Sequence, residues 1–262
     1  MIMIDVNGTQ LYYEITGEGP PLLMITGFSV ASDCWSLVVP ELAKHFKVVT
    51  FDNRGSGRSA VPEGGYPIEL LANDAMALCK ALGVEKPHVL GSSMGGGIAQ
   101  TIAKNFEINK LVLCNTTIKF SKITRLLLKD IGRQLEIGTP IEEITERLML
   151  WLFASNTLED ETVYTTIRQA IIDQPYPCPL EGYKNQSLAL NSFDSRKWAK
   201  SLKQETLVIG STDDRLTLEC ETKALADAIP RSKYTVISNC GHNPQQEAPD
   251  RFLSAVISFL QQ

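Results

Sequence analysis

Histidine is scarce in this chain: three residues in 262. His45 falls where a helix should end, just before Phe46. His88 falls inside an apolar strand-like run. Only His242, in the loop Asn239-Cys240-Gly241-His242-Asn243-Pro244, stands where a base is useful. Basic charge is also in short supply, with a formal net charge of -5. A nucleic-acid partner is therefore not expected, because a phosphate backbone needs a concentrated basic surface. The densest cluster, Arg196, Lys197 and Lys200, reads as a solvated face. No apolar run approaches the roughly 18–20 residues of a membrane span. The opening MIMIDVNGTQLYYEITGEG lacks the basic region and apolar stretch of a secretory signal. The six cysteines, at 34, 79, 114, 178, 220 and 240, form no Cys-x-x-Cys pair and match no metal spacing. Free thiols, no metal and a cytoplasmic protein are expected. The glycine-rich run at 52–59 has neither the Gly-Lys-Ser/Thr end of a P-loop nor the Gly-x-Gly-x-x-Gly of a dinucleotide site, so no cofactor is called for.

What is present is enough apolar material for a large core: 44% of residues are hydrophobic and only 21% charged. Asn7-Gly8 joins two short strands, 2–6 and 10–15, as a hairpin. Strands follow at 21–26, 47–51, 87–90 and 111–114, with helices over 33–44, 68–82 and 95–105 between them. The run Leu111-Val112-Leu113-Cys114 is continuously apolar, as in a strand covered on both faces. From about 121 to 200 no strand is legible, and helices are expected over 121–134, 140–155, 158–172 and 180–192. The strand–helix rhythm returns at 206–209, 217–228, 234–237 and 249–260. The reading is an α/β fold, a mostly parallel sheet with helices on both faces. Residues 1–117 and 201–262 make the core, and 118–200 form a helical cap inserted after the sixth strand.

The sequence VLGSSMGGGIAQ carries Gly-x-Ser-x-Gly centred on Ser93. An apolar strand precedes it and a helix follows. A tight strand-to-helix turn of this kind presents a serine hydroxyl above the sheet edge and points backbone N–H groups at a developing oxyanion. A serine hydroxyl is a poor nucleophile without a base, and the base needs an orienting carboxylate. His242 follows the last strand, and functional groups in open α/β sheets gather at the carboxyl ends of strands. Asp213 follows the strand 206–209 through Gly210-Ser211-Thr212 and is the expected acid. Its neighbour Asp214 and the more distant Asp194 are the competitors. The strand 21–26 ends in Thr26-Gly27-Phe28-Ser29, so Phe28 is the expected second oxyanion donor, paired with Met94. In the loop 52–59, Asp52 and Arg54 are the expected internal ion pair.

These segments resemble the α/β-hydrolase superfamily over nearly the whole chain: TGFS at 26–29, DNRGSGRS at 52–59, GSSMGG at 91–96, GSTD at 210–213 and GHNPQQEAPDRF at 241–252. The resemblance implies Ser93 as nucleophile, Asp213 as acid, His242 as base, and oxyanion N–H groups from Phe28 and Met94. One departure stands out: the family's first motif usually opens His-Gly, and here it is Thr26-Gly27, so the bracing of that loop should differ. LVLCNT at 111–116 and the compact cap resemble, less closely, the enol-lactonase group that acts on 3-oxoadipate enol-lactone. Similar caps occur in carboxylesterases, thioesterases, perhydrolases, C–C bond hydrolases and proline iminopeptidases. Serine at position 93 argues against the dehalogenases and epoxide hydrolases of this fold, which use aspartate.

The expected activity is hydrolysis of a small, partly apolar ester or lactone through an acyl-enzyme, with no metal or organic cofactor. A thioesterase, a C–C hydrolase, or a non-catalytic small-molecule-binding protein of the same fold are the alternatives. The partner is a small-molecule ester, lactone or thioester, with no membrane span and an oligomeric state that the sequence leaves open. Trp151, Phe153 and Leu127 in the cap are candidates for the pocket lining, alongside a plain packing role.

Overall fold

Along the central strands, alternate residues leave for opposite faces, and both sets are apolar. Leu23, Ile25, Val49, Phe51, Val89, Leu111, Leu113 and Val208 enter one cluster, whereas Leu22, Met24, Val48, Leu90, Val112, Leu207 and Ile209 enter another. A sheet with two apolar faces must be covered on both. The structure, a computed structural model, describes residues 2–262. Its strands are β1 (Met3–Val6), β2 (Thr9–Thr16), β3 (Pro21–Ile25), β4 (Lys47–Phe51), β5 (His88–Ser92), β6 (Leu111–Cys114), β7 (Thr206–Ser211) and β8 (Ser232–Ile237). They form one sheet in the order β1-β2-β4-β3-β5-β6-β7-β8. The hairpin β1–β2 and the β2–β4 pairing are antiparallel, and every pairing from β4 through β8 is parallel.

The helices of the core are α1 (Val39–Leu42), α2 (Ile68–Ala81), α3 (Met94–Asn105), α9 (Glu219–Ala228), α10 (Pro244–Glu247) and α11 (Pro249–Leu260). Residues of α2, α3 and α9 pack in the first cluster, and Trp35, α1 and α11 in the second. Between β6 and β7 the chain is helical: α4 (Lys122–Glu136), α5 (Ile141–Leu152), α6 (Ser155–Glu159), α7 (Glu161–Ile172) and α8 (Leu180–Ser192). This helical stretch occupies the place, after the sixth strand, where the sequence leads one to expect an inserted cap. Where the sequence suggests one helix over 158–172, the structure has two. Asp160 intervenes and caps α7, its carboxylate accepting from the N–H groups of Thr162 and Val163 at 3.0 Å.

The helix expected over 33–44 is not continuous. A 3-10 turn covers Ser32–Trp35, and α1 is a single turn that begins just before Pro40. Proline has no N–H to donate and its ring collides with the carbonyl four residues back, so the helix restarts rather than runs through.

Candidate active site

The turn between β5 and α3 is built by close approach. A Cβ added to Gly91 would lie 2.1 Å from the carbonyl oxygen of Gly95, and one added to Gly95 would lie 2.3 Å from that of Ile25. Only glycine fits at either place. Ser93, between them, is held at φ 56° and ψ -121°, a backbone that a residue with a side chain rarely adopts. Ser93 N–H donates to the Cys114 carbonyl at 3.0 Å, which ties the turn to the end of β6. Met94 is the first residue of α3, so its N–H is among the helix-end donors that lack an intrahelical partner. The loop after β3 passes directly over the turn: a Cβ on Gly27 would sit 3.3 Å from Ser93 Cβ. Phe28, the next residue, is buried and its ring meets that of Tyr183 edge-on at 4.5 Å.

The imidazole of His242 is 6% exposed and its Nδ1 lies 2.8 Å from Asp214 Oδ2. A carboxylate oxygen accepts, so Nδ1 carries a proton, and the lone pair of the neutral imidazole is at Nε2. Asp214 is fixed by four bonds. Its Oδ1 accepts from the N–H groups of Leu216 at 2.8 Å and Thr217 at 3.0 Å. Its Oδ2 accepts from the Thr217 hydroxyl at 2.7 Å as well as from the imidazole.

Asp213, the acid expected from the sequence, is not on the histidine. Its N–H donates to the Cys240 carbonyl at 2.9 Å, and its half-buried carboxylate accepts from the neighbouring Thr212 hydroxyl at 2.8 Å. β7 runs to Ser211, two residues beyond the expected end, and carries the loop one position further before a side chain turns inward. The other competitor, Asp194, pairs with Arg196 and Lys119 beyond the end of α8. The guanidinium of Arg196 holds its carboxyl well below the usual carboxylate range.

Two adjacent residues that the sequence reading passed over join the serine and histidine segments. Asn115, buried at the end of β6 with φ 41°, donates from Nδ2 to the carbonyls of Gly241 and His242 and to the Ser211 hydroxyl, each at 3.0 Å. Thr116 donates its hydroxyl to the Ser93 carbonyl at 2.7 Å. The strand order places the ends of β5, β6, β7 and β8 side by side, so Ser93, Asn115, Asp214 and His242 share one rim. No hydrogen bond joins the Ser93 hydroxyl to the imidazole among the described residues. The turn is instead brought to the histidine loop through these backbone contacts. The signal of Asn115 and Thr116 in the sequence was that both directly follow an apolar strand, at the end of LVLCNT.

The histidine loop also touches the end of α5 and the residues that follow it. His242 N–H donates to the Leu152 carbonyl at 2.7 Å, and Glu247 accepts from Gly241 N–H and Ala154 N–H at 2.9 Å each. Burial pushes the Glu247 carboxyl up, against the pull of those donors. Of the proposed pocket residues, Phe153 is buried at the end of α5, Trp151 is half-buried, and Leu127 packs on the cluster that contains Phe28 and Met94. A hollow of about 480 Å³ between α5, α6 and α7, lined by Glu146, Arg147, Leu150 and Tyr164 among others, contains none of the residues named for catalysis.

The remaining histidines are elsewhere. His88 is buried with Nε2 3.3 Å from Asn109 Nδ2, and His45 lies against Gln261. In the loop 52–59 the expected Asp52–Arg54 pair does not form. Asp52 binds Arg58 at 2.8 Å, and Arg54 turns away to a buried pair with Asp74. Asp52 thus finds its partner within the loop, whereas Arg54 finds its own on α2.

A family model described as the alpha/beta hydrolase fold matches residues 20–136. A Caulobacter sp. (strain K31) protein provisionally named carbamate hydrolase RutD is 30% identical, over 95% of this chain and 95% of its own length. The 2-hydroxymuconate semialdehyde hydrolase of Pseudomonas sp. (strain CF600) is 29% identical, over 98% of this chain and 92% of its own. Among solved structures, the enol-lactonase from Burkholderia xenovorans LB400 superposes with a TM-score of 0.90 at 26% identity, covering all of both chains. A thermophilic esterase from Thermogutta terrifontis gives 0.88 at 29% identity, covering 100% of this chain and 98% of that one. A relative 30% identical over 95% of both chains, together with the match to the alpha/beta hydrolase fold over residues 20–136, places this chain in the α/β-hydrolase family.

Proposed function

We propose that this hydrolase acts through a serine nucleophile and an acyl-enzyme on a small, partly apolar carboxylic ester or lactone. The observation that supports the reading is the buried Asp214–His242 pair, linked to the strained Ser93 turn through the adjacent residues Asn115, which donates to the His242 carbonyl, and Thr116, which donates to the Ser93 carbonyl. In this reading Ser93 is the nucleophile, His242 the base, Asp214 the acid that orients it, and the N–H groups of Phe28 and Met94 the oxyanion donors.

Nε2 of His242 takes the hydroxyl proton as Ser93 Oγ bonds to the substrate carbonyl carbon. The carbonyl oxygen becomes an alkoxide against the two N–H groups. His242 then protonates the leaving alkoxide as the C–O bond breaks, which leaves an ester on Ser93. Water, deprotonated by the same nitrogen, attacks that ester, and the proton returns to Oγ as the acid leaves. Each oxyanion donor is worth about 2.7–4 kcal/mol in sites of this type. The apolar side chains beside the turn, with Leu127 partly buried against Phe28, Met94 and Tyr183 in one packed cluster, favour a short acyl chain or ring over a highly charged substrate in this reading.

The test is a panel of p-nitrophenyl esters, lactones, aryl carbamates and acyl-thioesters ranked by kcat/KM, together with a fluorophosphonate probe. Labelling that is lost in Ser93→Ala and strongly reduced in His242→Ala is the expected result. A folded wild-type protein that neither labels nor turns over any ester would refute the reading and favour a binding protein. The similarity to the 2-hydroxymuconate semialdehyde hydrolase supports a second reading, C–C bond hydrolysis with the same residues. Turnover of a vinylogous diketone but not of simple esters would select it.

A further inference from the structure

We infer that Gln186, on the cap helix α8, is a positioning residue for the oxyanion loop, so that the hole is completed only when the cap is seated. This rests on the proposed role of Ser93 and of the Phe28 N–H.

The loop after β3 opens with Thr26-Gly27, and its bracing is local and thin. The Thr26 hydroxyl donates to the Val30 carbonyl at 3.0 Å and accepts from Asn53 Nδ2 at 3.1 Å. Between these anchors Ser29 sits at φ 59°, in the left-handed region that disfavours residues with a side chain. Its N–H is captured by Gln186 Oε1 at 2.9 Å.

The amide of Gln186 cannot be turned round. Its side chain is fully buried, and Nε2 donates to the Arg54 carbonyl at 2.8 Å and to the Ser56 hydroxyl oxygen at 2.7 Å. A flipped amide would set N–H against the Ser29 N–H and leave two acceptors without donors. The contact is therefore directional, and it joins three segments: cap, oxyanion loop and the glycine-rich loop 52–59.

The same face of α8 holds the rest of the loop. Tyr183, three residues earlier on one helical face, meets the Phe28 ring. Gly182 lies so close to Gly55 that an added Cβ would be 1.9 Å from the Gly55 carbonyl oxygen. So α8 fixes the Phe28 side chain through Tyr183 and the peptide that follows Phe28 through Gln186. What remains free to aim into the site is the Phe28 N–H. A small misdirection of a preorganised donor is felt in the transition state, where the charge develops, and little in the bound ester.

The experiment uses the full chain with p-nitrophenyl butyrate. Gln186→Met is expected to lower kcat about ten- to a hundredfold with KM within about threefold. Affinity for an aliphatic trifluoromethyl ketone, which Ser93 converts to a tetrahedral alkoxide, should fall by the same factor. Affinity for the matching secondary alcohol, which forms no oxyanion, should hold. Ser56→Ala keeps Gln186 but removes one of the two acceptors that orient it; it should lower kcat about two- to fivefold alone and add little to Gln186→Met. A folded Gln186→Met protein with wild-type kcat overturns the inference, as does an equal loss of ketone and alcohol affinity. Should that variant fail to fold, Ser56→Ala decides, and a wild-type kcat in it overturns the inference. Absence of Ser93-dependent turnover in the wild type would instead sink the reading of the site itself, and this inference with it. Ser93-dependent turnover with Gln186→Met unaffected sinks the positioning role alone.

Discussion

Replacing Asp214 by Asn separates two adjacent carboxylates that the sequence could not. The variant is nearly isosteric, so its effect comes from hydrogen-bond polarity. Oδ1 of Asp214 serves two backbone donors, Leu216 N–H at 2.8 Å and Thr217 N–H at 3.0 Å. Turning an NH2 group toward them would leave buried donors facing donors, at about 1–3 kcal/mol for each unsatisfied group. The introduced amide therefore keeps its oxygen there and presents NH2 to the imidazole. Nδ1 of His242 must then accept, the proton moves to Nε2, and the nitrogen facing the serine can no longer take a proton. A wrong-tautomer lesion of this kind lowers kcat by about four orders of magnitude, or about 5.4 kcal/mol. Thr217 can turn its hydroxyl to accept from the new NH2, so the fold should survive. The assay is p-nitrophenyl ester turnover with a thermal melt on the same sample. Asp213→Asn, which disturbs only a half-exposed contact to Thr212, should stay within about threefold of wild type. A large loss in Asp213→Asn with Asp214→Asn near normal would refute the reasoning.

Other outcomes follow from the same geometry. Asn115→Ala removes the donor to two buried carbonyls and places alanine at φ 41°; it should cost about 2–4 kcal/mol, roughly 5–12 °C in Tm, together with much of kcat, and a calorimetric scan and turnover assay that match wild type would contradict this. Gly91→Ala drives a Cβ to 2.1 Å from backbone that cannot yield, so soluble expression with native circular dichroism would be incompatible with the turn described. Burial, reinforced by Lys110, holds the His88 imidazole below its ordinary 6.5. Below about pH 6.5 the unfolded chain then binds more protons than the folded one, so stability is full above that pH and is lost on acidification. His88→Leu should flatten the slope of Tm below about pH 6.5, and an unchanged slope would exclude His88 as its source.

The strands and the serine turn were legible because they are local. Each central strand is a short apolar run bounded by turn residues, and the Ser93 turn is specified by glycines two positions to either side. His242 was legible by elimination, since His88 lies inside a strand and His45 beside a helix end. The same local logic failed where a short-range rule competes with a covalent constraint: the apolar spacing over 33–44 looks helical, yet Pro40 breaks it. It failed again at Asp52 and Arg54, where a two-residue separation suggested a pair and each side chain found a different partner.

By itself, then, the sequence determined the α/β architecture, the helical stretch between β6 and β7, and the serine and histidine to consider. Periodicity and turn chemistry are properties of consecutive residues. Only the tertiary structure decided which of two neighbouring aspartates meets His242, because in an irregular loop the side-chain direction is set by partners distant in the chain: Cys240 for the Asp213 backbone, and the imidazole for the Asp214 carboxylate. The seating of Gln186 on Ser29, 157 positions away in sequence, was likewise beyond any local pattern. Such contacts arise from the way the sheet and cap close on each other, and no window of neighbouring residues encodes that closure.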